Sequence, residues 1–358
     1  MSLTLLSAPD VIARYDTFDT LVDARSESEY SLDHLPGALN WPTLHDGERK
    51  TIGTLYKQVN AFEAKKRGAA LAARNIAGHI EQHMLEKPKD WAPLAYCWRG
   101  GKRSGSLALV LDQIGFRVSL IEGGYKAFRA AMLEDLAARA QGLNFQVVCG
   151  TTGSGKTRLL QTLAQIGAQV LDLEELAKHR SSVLGAIPGV PQPSQKRFDT
   201  LVWEKIRTLD PARTVYVESE SKKVGNVAIH PVLVNAMRTS PCVLIDLSLE
   251  ERVKLLLEDY AFFVEHPPQF CLRLDALTAQ RGKAVIEEWK KSVMRGDLAG
   301  VVRALLADHY DPVYLQSMQR NFQGFSTART FLLPDRHAHA MQTVARAIKG
   351  DHETPGAA

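Results

Sequence analysis

One cysteine of the sequence stands in a setting that suits a nucleophile. Cys97 follows the apolar stretch 93–96 and precedes a glycine-rich, basic loop and a helical pattern that begins near Ser104. A helix N-terminus offers unpaired N–H groups and a positive dipole, which favour both a thiolate and an oxyanion. Nearby cations favour the thiolate further. The predicted catalytic residues are Cys97, Arg99 and Arg103, and the predicted residues of the anion-binding loop around them are Gly100, Gly101, Lys102 and Ser104.

This pattern predicts a cysteine that reacts with an anionic, phosphate-like donor. The alternative is a small core cysteine followed by a solvated basic turn, because buried cysteines are common. Two glycines and three cations directly after Cys97 favour the catalytic interpretation.

A second loop has the spacing G-x-x-x-x-G-K-T of a phosphate-binding loop, or P-loop. The apolar stretch 145–149 predicts a strand before it, and the helical pattern 159–163 follows it. In this context the backbone N–H groups surround a diphosphate, Lys156 reaches its outer oxygens, and the Thr157 hydroxyl suits Mg²⁺. The pattern does not say which phosphate compound binds. The predicted diphosphate-binding residues are Gly150, Thr151, Thr152, Gly153, Ser154, Gly155, Lys156 and Thr157.

Three acids are candidate ligands for a Mg²⁺ ion at the P-loop. Asp172, Asp246 and Glu218 each end or follow a short apolar stretch that predicts a strand, and Glu220 follows the same stretch as Glu218. Carboxylates at strand ends, together with the Thr157 hydroxyl, suit this metal. Acids in the same position also cap the helix that follows, so both interpretations stay open.

The elements that position these loops are short strands alternating with helices. This alternation predicts parallel α/β sheets with sites at the carboxyl ends of the strands. At 358 residues the chain suggests two domains. We predict an α/β domain over 1–138, a P-loop NTPase-like α/β domain over 139–350 whose C-terminal part is helical, and a disordered tail over 351–358.

Composition excludes the strongly charged and the membrane-spanning classes. The chain has 44 Lys and Arg against 40 Asp and Glu, and the net charge of +4 permits a nucleic-acid partner without requiring one. Its four cysteines have no disulfide-like or zinc-like spacing, and no apolar run reaches membrane-spanning length. We therefore expect a cytoplasmic protein with no membrane partner.

A basic triplet, Lys65, Lys66 and Arg67, is the candidate for contacts with nucleic-acid phosphates. A solvated helix face explains the same run equally well, because isolated charge runs rarely decide a function.

The first predicted domain resembles a rhodanese-like domain, whose loop cysteine carries sulfur or selenium as a persulfide or perselenide. The loop has five residues between Cys97 and Arg103, one more than the commonest form. That spacing is shared with cysteine phosphatases, which usually have a histidine where this chain has Tyr96, so a phosphatase stays an alternative. The resemblance rests on Asp23-x-Arg25, Glu29-Tyr30, the segment His-Leu-Pro-Gly-Ala-Leu-Asn at 34–40, the Cys97 loop and Glu122-Gly123-Gly124.

Further segments along the chain, from about Asp23 to Tyr314, form a recognisable set. They are Gly53-Thr54-x-Tyr56-Lys57, the Cys97 loop, Glu122 to Ala127, the P-loop, Asp172-Leu173-Glu174 with His179-Arg180, and Tyr310-Asp311-Pro312-x-Tyr314. With these segments the chain as a whole resembles the bacterial tRNA 2-selenouridine synthase family, in which a rhodanese-like domain precedes a P-loop domain.

The resemblance implies a two-step exchange at the wobble uridine of tRNA. Geranyl diphosphate first alkylates the sulfur of 2-thiouridine, and the geranylthio group then leaves as selenium arrives from selenophosphate. Alkylation turns a poor leaving group into a good one. The resemblance assigns selenium to Cys97 and the departing diphosphate to the P-loop. It implies tRNA, selenophosphate and geranyl diphosphate as partners, with no tightly bound cofactor apart from the candidate Mg²⁺.

Two other classes stay open from the residues alone. One is a sulfurtransferase or cysteine phosphatase joined to a nucleotide-dependent, kinase-like domain. The other is a regulatory module in which both loops only sense anions.

Overall fold

The computed structural model describes residues 3–180, 182 and 184–353, the last three by their backbone only. The described chain divides into two units. The first contains the chain up to Leu136 together with Ser194–Glu204, and the second contains Ala137–Pro193 and the chain from Lys205 onward. The segment Ser194–Glu204 thus belongs to the first unit, although it lies within the range predicted for the P-loop domain.

Five parallel strands in the order β1-β5-β4-β2-β3 form the sheet of the first unit. The Cys97 loop leaves the middle strand of this sheet. The elements are β1 (Thr4–Leu6), α1 (Ala8–Ala13), β2 (Thr20–Asp23), α2 (Glu27–Leu32), β3 (Leu39–Asn40), α3 (Asp46–Gln58), α4 (Ala61–His83), β4 (Pro93–Tyr96), α5 (Lys102–Ile114), β5 (Ser119–Ile121) and α6 (Gly124–Gly142), with a 3-10 turn at Tyr15–Thr17.

The middle of the first sheet is covered on both faces. All four residues of β4 are buried, as expected for a parallel strand between two helical layers. The hydrophobic core around this sheet includes Val22, Trp41, Ala95, Leu107 and Leu111. Helix α2 begins at a capping box, in which the Ser26 side chain and the Glu29 side chain satisfy each other's backbone N–H groups.

The segment Ser194–Glu204 is anchored to the first unit by polar and aromatic contacts. Thr200 donates to the Asp33 carboxylate at 3.0 Å, and Arg129 pairs with Asp199 at 2.5 Å. The fully buried Trp203 packs edge-on against Phe128 with ring centroids 5.6 Å apart. These contacts bring side chains from far along the sequence into the first unit.

A second parallel sheet, in the order β12-β11-β6-β8-β7, forms the core of the second unit. The P-loop follows its central strand. The elements of this part of the chain are β6 (Asn144–Cys149), α7 (Lys156–Gln165), β7 (Gln169–Leu171), α8 (Leu173–Ala177), α9 (Gln195–Arg207), β8 (Thr214–Glu218), β9 (Lys223–Val224), β10 (Val227–Ala228), α10 (Pro231–Thr239) and β11 (Pro241–Leu247).

Helices dominate the C-terminal part of the second unit and have a core cluster of their own, which includes Phe263, Phe270 and Trp289. The remaining elements are α11 (Leu249–Asp259), α12 (Ala261–Glu265), α13 (Pro267–Leu274), α14 (Thr278–Arg281), α15 (Lys283–Met294), α16 (Leu298–Ala304), α17 (Asp311–Asn321), β12 (Gly324–Leu333) and α18 (Ala338–Glu353), with a 3-10 turn at Asp275–Leu277 and a π-helical turn at Leu305–Tyr310.

The predicted architecture is confirmed: the described chain has two parallel α/β sheets, each with a predicted loop after its central strand, and a helical C-terminal part. Of the predicted disordered tail, 351–353 continue the backbone of α18, and 354–358 lie outside the described residues. Within the described ranges, none of the helices is long and apolar enough to cross a membrane.

Candidate functional site

Cys97 lies just beyond the carboxyl end of β4, in the loop that leads into α5. Its Sγ accepts hydrogen bonds from the Gly101 N–H and from the Ser104 hydroxyl, both at 3.2 Å. Cys97 is 3% exposed and Ser104 is fully buried. Two hydrogen-bond donors thus point at one sulfur beside a helix N-terminus, an arrangement that suits a bound anion. The structure therefore brings together the predicted loop residues Gly101 and Ser104 around the predicted nucleophile.

A glycine on the neighbouring segment makes this close loop possible. Gly124 has φ of +61°, and a Cβ there would lie 2.3 Å from the Cys97 carbonyl oxygen and 2.4 Å from the Gly100 nitrogen. The Tyr125 N–H donates to the same Cys97 carbonyl at 2.8 Å. The Glu-Gly-Gly motif thus lets the backbone of α6 approach the cysteine loop and hold it.

Arg103 is held by Glu29 from α2. Its two terminal nitrogens donate to the two Glu29 oxygens at 2.5 and 3.3 Å. Burial alone would raise the pKa of Glu29, but the Arg103 guanidinium lowers it below its usual value. The other two predicted cations, Arg99 and Lys102, are exposed. Of the three cations, Arg103 is the one whose geometry is defined by a bidentate partner.

The Asp23-x-Arg25 motif forms a buried ion pair. Arg25 donates to Asp23 at 2.6 Å and to the Asp33 carbonyl at 2.7 Å, and both charged side chains are at most 1% exposed. The Arg25 guanidinium also stacks 4.1 Å from the centre of the Tyr125 ring. These contacts tie together three loops at the carboxyl edge of the sheet, so the motif shapes the site without supplying its nucleophile.

A cavity of about 430 Å³ opens at this edge of the first unit. Lys196 lies 5.2 Å from the centre of the Trp98 ring, which stacks on Tyr125 at 5.4 Å. Cations around a flat aromatic surface can hold an anion and a base side by side. Sequence reasoning missed Lys196, because nothing in the sequence links it to the cysteine loop. The charged and aromatic residues of the wall include Arg25, Glu29, Arg49, Trp98, Arg103 and Lys196.

The P-loop connects β6 to α7, as the sequence predicted. The Lys156 ammonium donates to the Gly150 carbonyl at 2.8 Å and to the Thr151 carbonyl at 3.2 Å, and it lies 5.1 Å from the centre of the Tyr314 ring. Burial alone would lower the pKa of Lys156, but Tyr314 and nearby carboxylates raise it above its usual value. Lys156 is therefore a fully charged side chain on the loop. At the tip, a Cβ on Gly153 would lie 2.9 Å from the Leu256 side chain.

Three glutamates, here called the acidic trio, gather beside the P-loop. Glu174, Glu218 and Glu220 each place a carboxylate oxygen within 4.8 Å of the others. The Thr157 hydroxyl donates to Glu174 at 3.2 Å. Glu218 is 2% exposed, and its buried Oε1 has no hydrogen-bond partner among the described residues.

The electrostatics of the acidic trio suit a divalent cation. Burial and the like charges of Glu174 and Glu220 raise the pKa of Glu218 well above its usual value. Clustered carboxylates with an unpartnered buried oxygen are costly without a counter-charge, and hard oxygen ligands suit Mg²⁺. The residues present therefore fit the ion expected at the P-loop. The strand-end pattern singled out Glu218 and Glu220, and the P-loop motif singled out Thr157, whereas Glu174 was not among the predicted metal ligands.

Asp172 and Asp246, the other two acids predicted as Mg²⁺ ligands, are not part of the acidic trio. The Asp172 carboxylate accepts from the Glu175 N–H at 2.8 Å and caps α8, and burial raises the pKa of Asp172 to about 6. Asp172 also lines the cleft over the P-loop. Asp246 is exposed on β11 and is absent from the described lining of that cleft. For Asp172 the structure shows the helix cap that was the alternative interpretation.

A buried arginine connects the P-loop to the helical part of the same unit. Arg252, on α11, donates to the Thr152 carbonyl at 2.7 and 2.9 Å and to the Asp311 carboxylate at 2.6 and 2.9 Å. Three residues after Asp311, the Tyr314 hydroxyl is hydrogen-bonded to Ser219 at 2.5 Å. The Asp-Pro-x-Tyr segment therefore holds α17 against the P-loop tip. Sequence reasoning had noted this segment without a physical role for it.

The P-loop opens into a cleft of about 1490 Å³ within the second unit. Its wall includes Lys156, Thr157, the acidic trio and Tyr314. A phosphorylated substrate bound there would meet the loop N–H groups and Lys156 on one side and a cation site on the other.

The basic triplet lies on the exposed surface of α4. Lys65, Lys66 and Arg67 are all exposed, and Lys66 forms an ion pair with Glu63. The triplet is thus accessible to a phosphate backbone, and the same placement satisfies a solvated helix face.

Comparison with known proteins identifies both units. Residues 7–131 match the model of the rhodanese-like domain, and residues 143–272 match the model described as the tRNA 2-selenouridine synthase AAA domain. The two matched ranges contain the Cys97 loop and the P-loop, respectively.

Relatives named tRNA 2-selenouridine synthase match both units together. One from Nitrosomonas europaea is 34% identical over 70% of this chain and 66% of its own. One from Alcanivorax borkumensis is 30% identical over 85% of this chain and 92% of its own, and one from Bordetella petrii is 30% identical over 92% and 95%. The resemblance drawn from the sequence is confirmed, and the chain belongs to the tRNA 2-selenouridine synthase family.

Proposed function

We propose that this protein replaces the sulfur of 2-thiouridine in tRNA by selenium, in two steps that use geranyl diphosphate and selenophosphate. The observation that carries the proposal is the pairing, in one chain of this family, of a cysteine loop built for a chalcogen anion with a P-loop built for a diphosphate. The Cys97 sulfur receives two hydrogen bonds, and Lys156 stands as a charged donor on the P-loop.

In the first step the thiocarbonyl sulfur of the tRNA base attacks C1 of the geranyl chain. A carbon–sulfur bond forms, the carbon–oxygen bond to diphosphate breaks, and inorganic diphosphate leaves. Negative charge grows on the departing oxygen, so the N–H groups of the P-loop and Lys156 stabilise the transition state more than the ground state. Thr157 and the acidic trio would hold Mg²⁺, which neutralises charge on a bound diphosphate.

In the second step selenium replaces the geranylthio group at C2 of the base. Selenium enters at the oxidation level it has in selenophosphate, water takes the phosphoryl group, and geranylthiol and phosphate leave, so the exchange needs no oxidant. We assign to the Cys97 loop the binding and orientation of selenophosphate, so that its selenium attacks C2 directly; a perselenide on Cys97 would require a two-electron oxidant. The hydrogen bonds that Cys97 accepts from Gly101 and Ser104 stabilise an anion on the loop, and Arg103 offers a fixed cation nearby.

The proposal is tested by supplying 2-thiouridine tRNA with each cosubstrate in turn and identifying the nucleoside by mass spectrometry. Geranyl diphosphate alone should give the S-geranyl nucleoside without ATP or GTP, and added selenophosphate should convert it to 2-selenouridine. A requirement for a nucleotide would favour the kinase-like alternative. Steady hydrolysis of an aryl phosphate by Cys97, without transfer to tRNA, would favour the phosphatase.

A further inference from the structure

A second, smaller cavity lies under the helical part of the second unit. Its wall combines α11 and the neighbouring helices with the π-helical turn Leu305–Tyr310. Five of its lining residues, Thr152, Ser182, Leu256, Tyr260 and Tyr310, also line the cleft over the P-loop. The cavity therefore adjoins the cleft at the P-loop tip, where these residues face both spaces.

The far wall of this cavity is apolar. Its deeper residues include Leu257, Phe263, Phe270, Leu298, Val302 and Leu305, which line the cavity but not the cleft. No charged side chain occurs among the described residues that line it. A ribose or a nucleobase would lose hydrogen bonds to water there without replacement, whereas a hydrocarbon chain gains about 0.8 kcal/mol for each buried methylene.

The cavity is large enough for only a small part of a ligand. Its volume is about 60 Å³. A single water needs about 10–15 Å³ on this measure, so there is room for roughly four to six non-hydrogen atoms. One isoprene unit has five carbons. The cavity thus matches one such unit, while the cleft of about 1490 Å³ is large enough for the rest of the ligand.

We propose that this cavity, defined by Leu257, Phe263, Phe270, Leu298, Val302 and Leu305, binds the terminal isoprene unit of a prenyl diphosphate whose diphosphate lies on the P-loop. The inference rests on the proposed function and deepens it, because it gives the substrate's hydrocarbon a place distinct from its diphosphate. Leu256 joins the two parts: it contacts the P-loop tip at Gly153 and also lines the cavity.

The test fills the cavity and compares three ligands of increasing length. Val302 is partly buried at the wall, so Val302→Phe projects extra volume into the space, and Leu298→Phe does so from another position on α16. Val285→Phe is the matched control, because Val285 is 37% exposed on α15 and lines neither cavity. Calorimetry measures binding of inorganic diphosphate, dimethylallyl diphosphate and geranyl diphosphate to the full chain.

Of the three ligands, only geranyl diphosphate should lose affinity when the cavity is filled. Filling should raise the dissociation constant of geranyl diphosphate by about tenfold or more, which corresponds to two or more displaced methylenes. Binding of inorganic diphosphate and of the five-carbon dimethylallyl diphosphate should change less than about twofold, since neither reaches the cavity. Unchanged diphosphate binding also shows that a variant is folded. Val285→Phe should bind all three ligands like the natural protein.

Two outcomes separate failure of the inference from failure of the function. If both filled variants keep the natural affinity for geranyl diphosphate, or lose all three ligands equally while keeping the circular dichroism spectrum and urea midpoint of the natural protein, the cavity does not hold the terminal unit. If the natural protein binds inorganic diphosphate but discriminates neither prenyl compound from it and does not geranylate tRNA, the proposed function itself is wrong.

Discussion

The two loops of this protein occupy equivalent places in their sheets but handle charge in opposite ways. Each follows a central parallel strand and precedes a helix. At Cys97 the nearest donors are neutral, and Arg103 is already paired with Glu29. At the P-loop Lys156 donates to carbonyls of its own loop, and the acidic trio lies beside it.

Under the proposed function, this difference separates a site for one polarisable anion, at Cys97, from a site for a multiply charged diphosphate, at the P-loop. Hydrogen bonds from neutral groups stabilise a sulfur or selenium anion while leaving it able to react. A charged lysine can instead exchange its hydrogen bonds to neutral carbonyls for hydrogen bonds to phosphate oxygens, which are stronger because both partners are charged. If the comparison is right, changes at one loop should affect one chemical step and leave the other in place.

The largest effect is expected for Cys97→Ala. Selenium incorporation should fall to background while geranylation of 2-thiouridine tRNA continues, because the substitution removes the sulfur proposed to orient selenophosphate and leaves the P-loop unchanged. Mass spectrometry of the nucleosides reads both steps in one sample. Cys271→Ala, at a partly exposed cysteine on α13, is the control and should retain both products. Normal 2-selenouridine formation by Cys97→Ala would remove Cys97 from the mechanism.

Lys156→Ala should lower the rate of geranylation by about 100- to 1000-fold, the usual loss when one preorganised donor to developing charge is removed. The same variant should still convert tRNA that has been geranylated beforehand, because that step needs Cys97 and selenophosphate. Lys254→Ala provides the control, since Lys254 is an exposed lysine on α11. A variant that also fails with geranylated tRNA would show that the two loops do not act separately.

Asp311→Asn should weaken the connection between α17 and the P-loop tip. It leaves the buried Arg252 guanidinium without its carboxylate, which should lower the stability of the second unit by about 2–4 kcal/mol. We expect a lower midpoint of urea unfolding and weaker binding of geranyl diphosphate, measured by denaturation and by calorimetry. Glu250→Gln removes an exposed ion pair at the start of α11 and should leave the midpoint unchanged. Equal effects of the two substitutions would argue against a specific role for the Arg252–Asp311 pair.

A smaller effect is expected for Glu29→Gln, which removes the charge that positions Arg103. A loss near 1 kcal/mol, typical of a partly buried pair, corresponds to about a fivefold lower rate of selenation. Geranylation should be unaffected. Glu63→Gln, at an exposed ion pair on α4, is the control. If selenation is unchanged while Arg103→Ala abolishes it, Arg103 acts without the help of Glu29.

The smallest effect is expected for replacing Lys65, Lys66 and Arg67 by alanine. If these side chains bind tRNA phosphates, the slope of log affinity against log salt should flatten by about 0.7–0.9 for each cation that no longer neutralises a phosphate. Filter binding between low and physiological salt measures that slope. An unchanged slope would leave the triplet as a solvated helix face and place the tRNA elsewhere on the protein.

The sequence alone determined the chemistry that both loops can offer. Cys97 with its following glycines, and the spacing of Gly150 to Thr157, require a tight turn after a strand and before a helix, and local backbone geometry suffices to build that. The alternation of strands and helices likewise determined two parallel sheets. These features are local in sequence, so short-range patterns are enough to predict them.

The tertiary structure alone decided which distant side chains complete each loop. Glu29 meets Arg103, Lys196 joins the wall beside Trp98, and Arg252 meets Asp311 only because packing brings separate elements together. The candidate metal ligands show the same limit of short-range patterns. The strand-end pattern singled out Asp172, Asp246 and Glu218 alike, but of these three only Glu218 belongs to the acidic trio. Whether a strand-end acid caps a helix or faces a cluster depends on the direction of its side chain after folding, which no short-range pattern encodes.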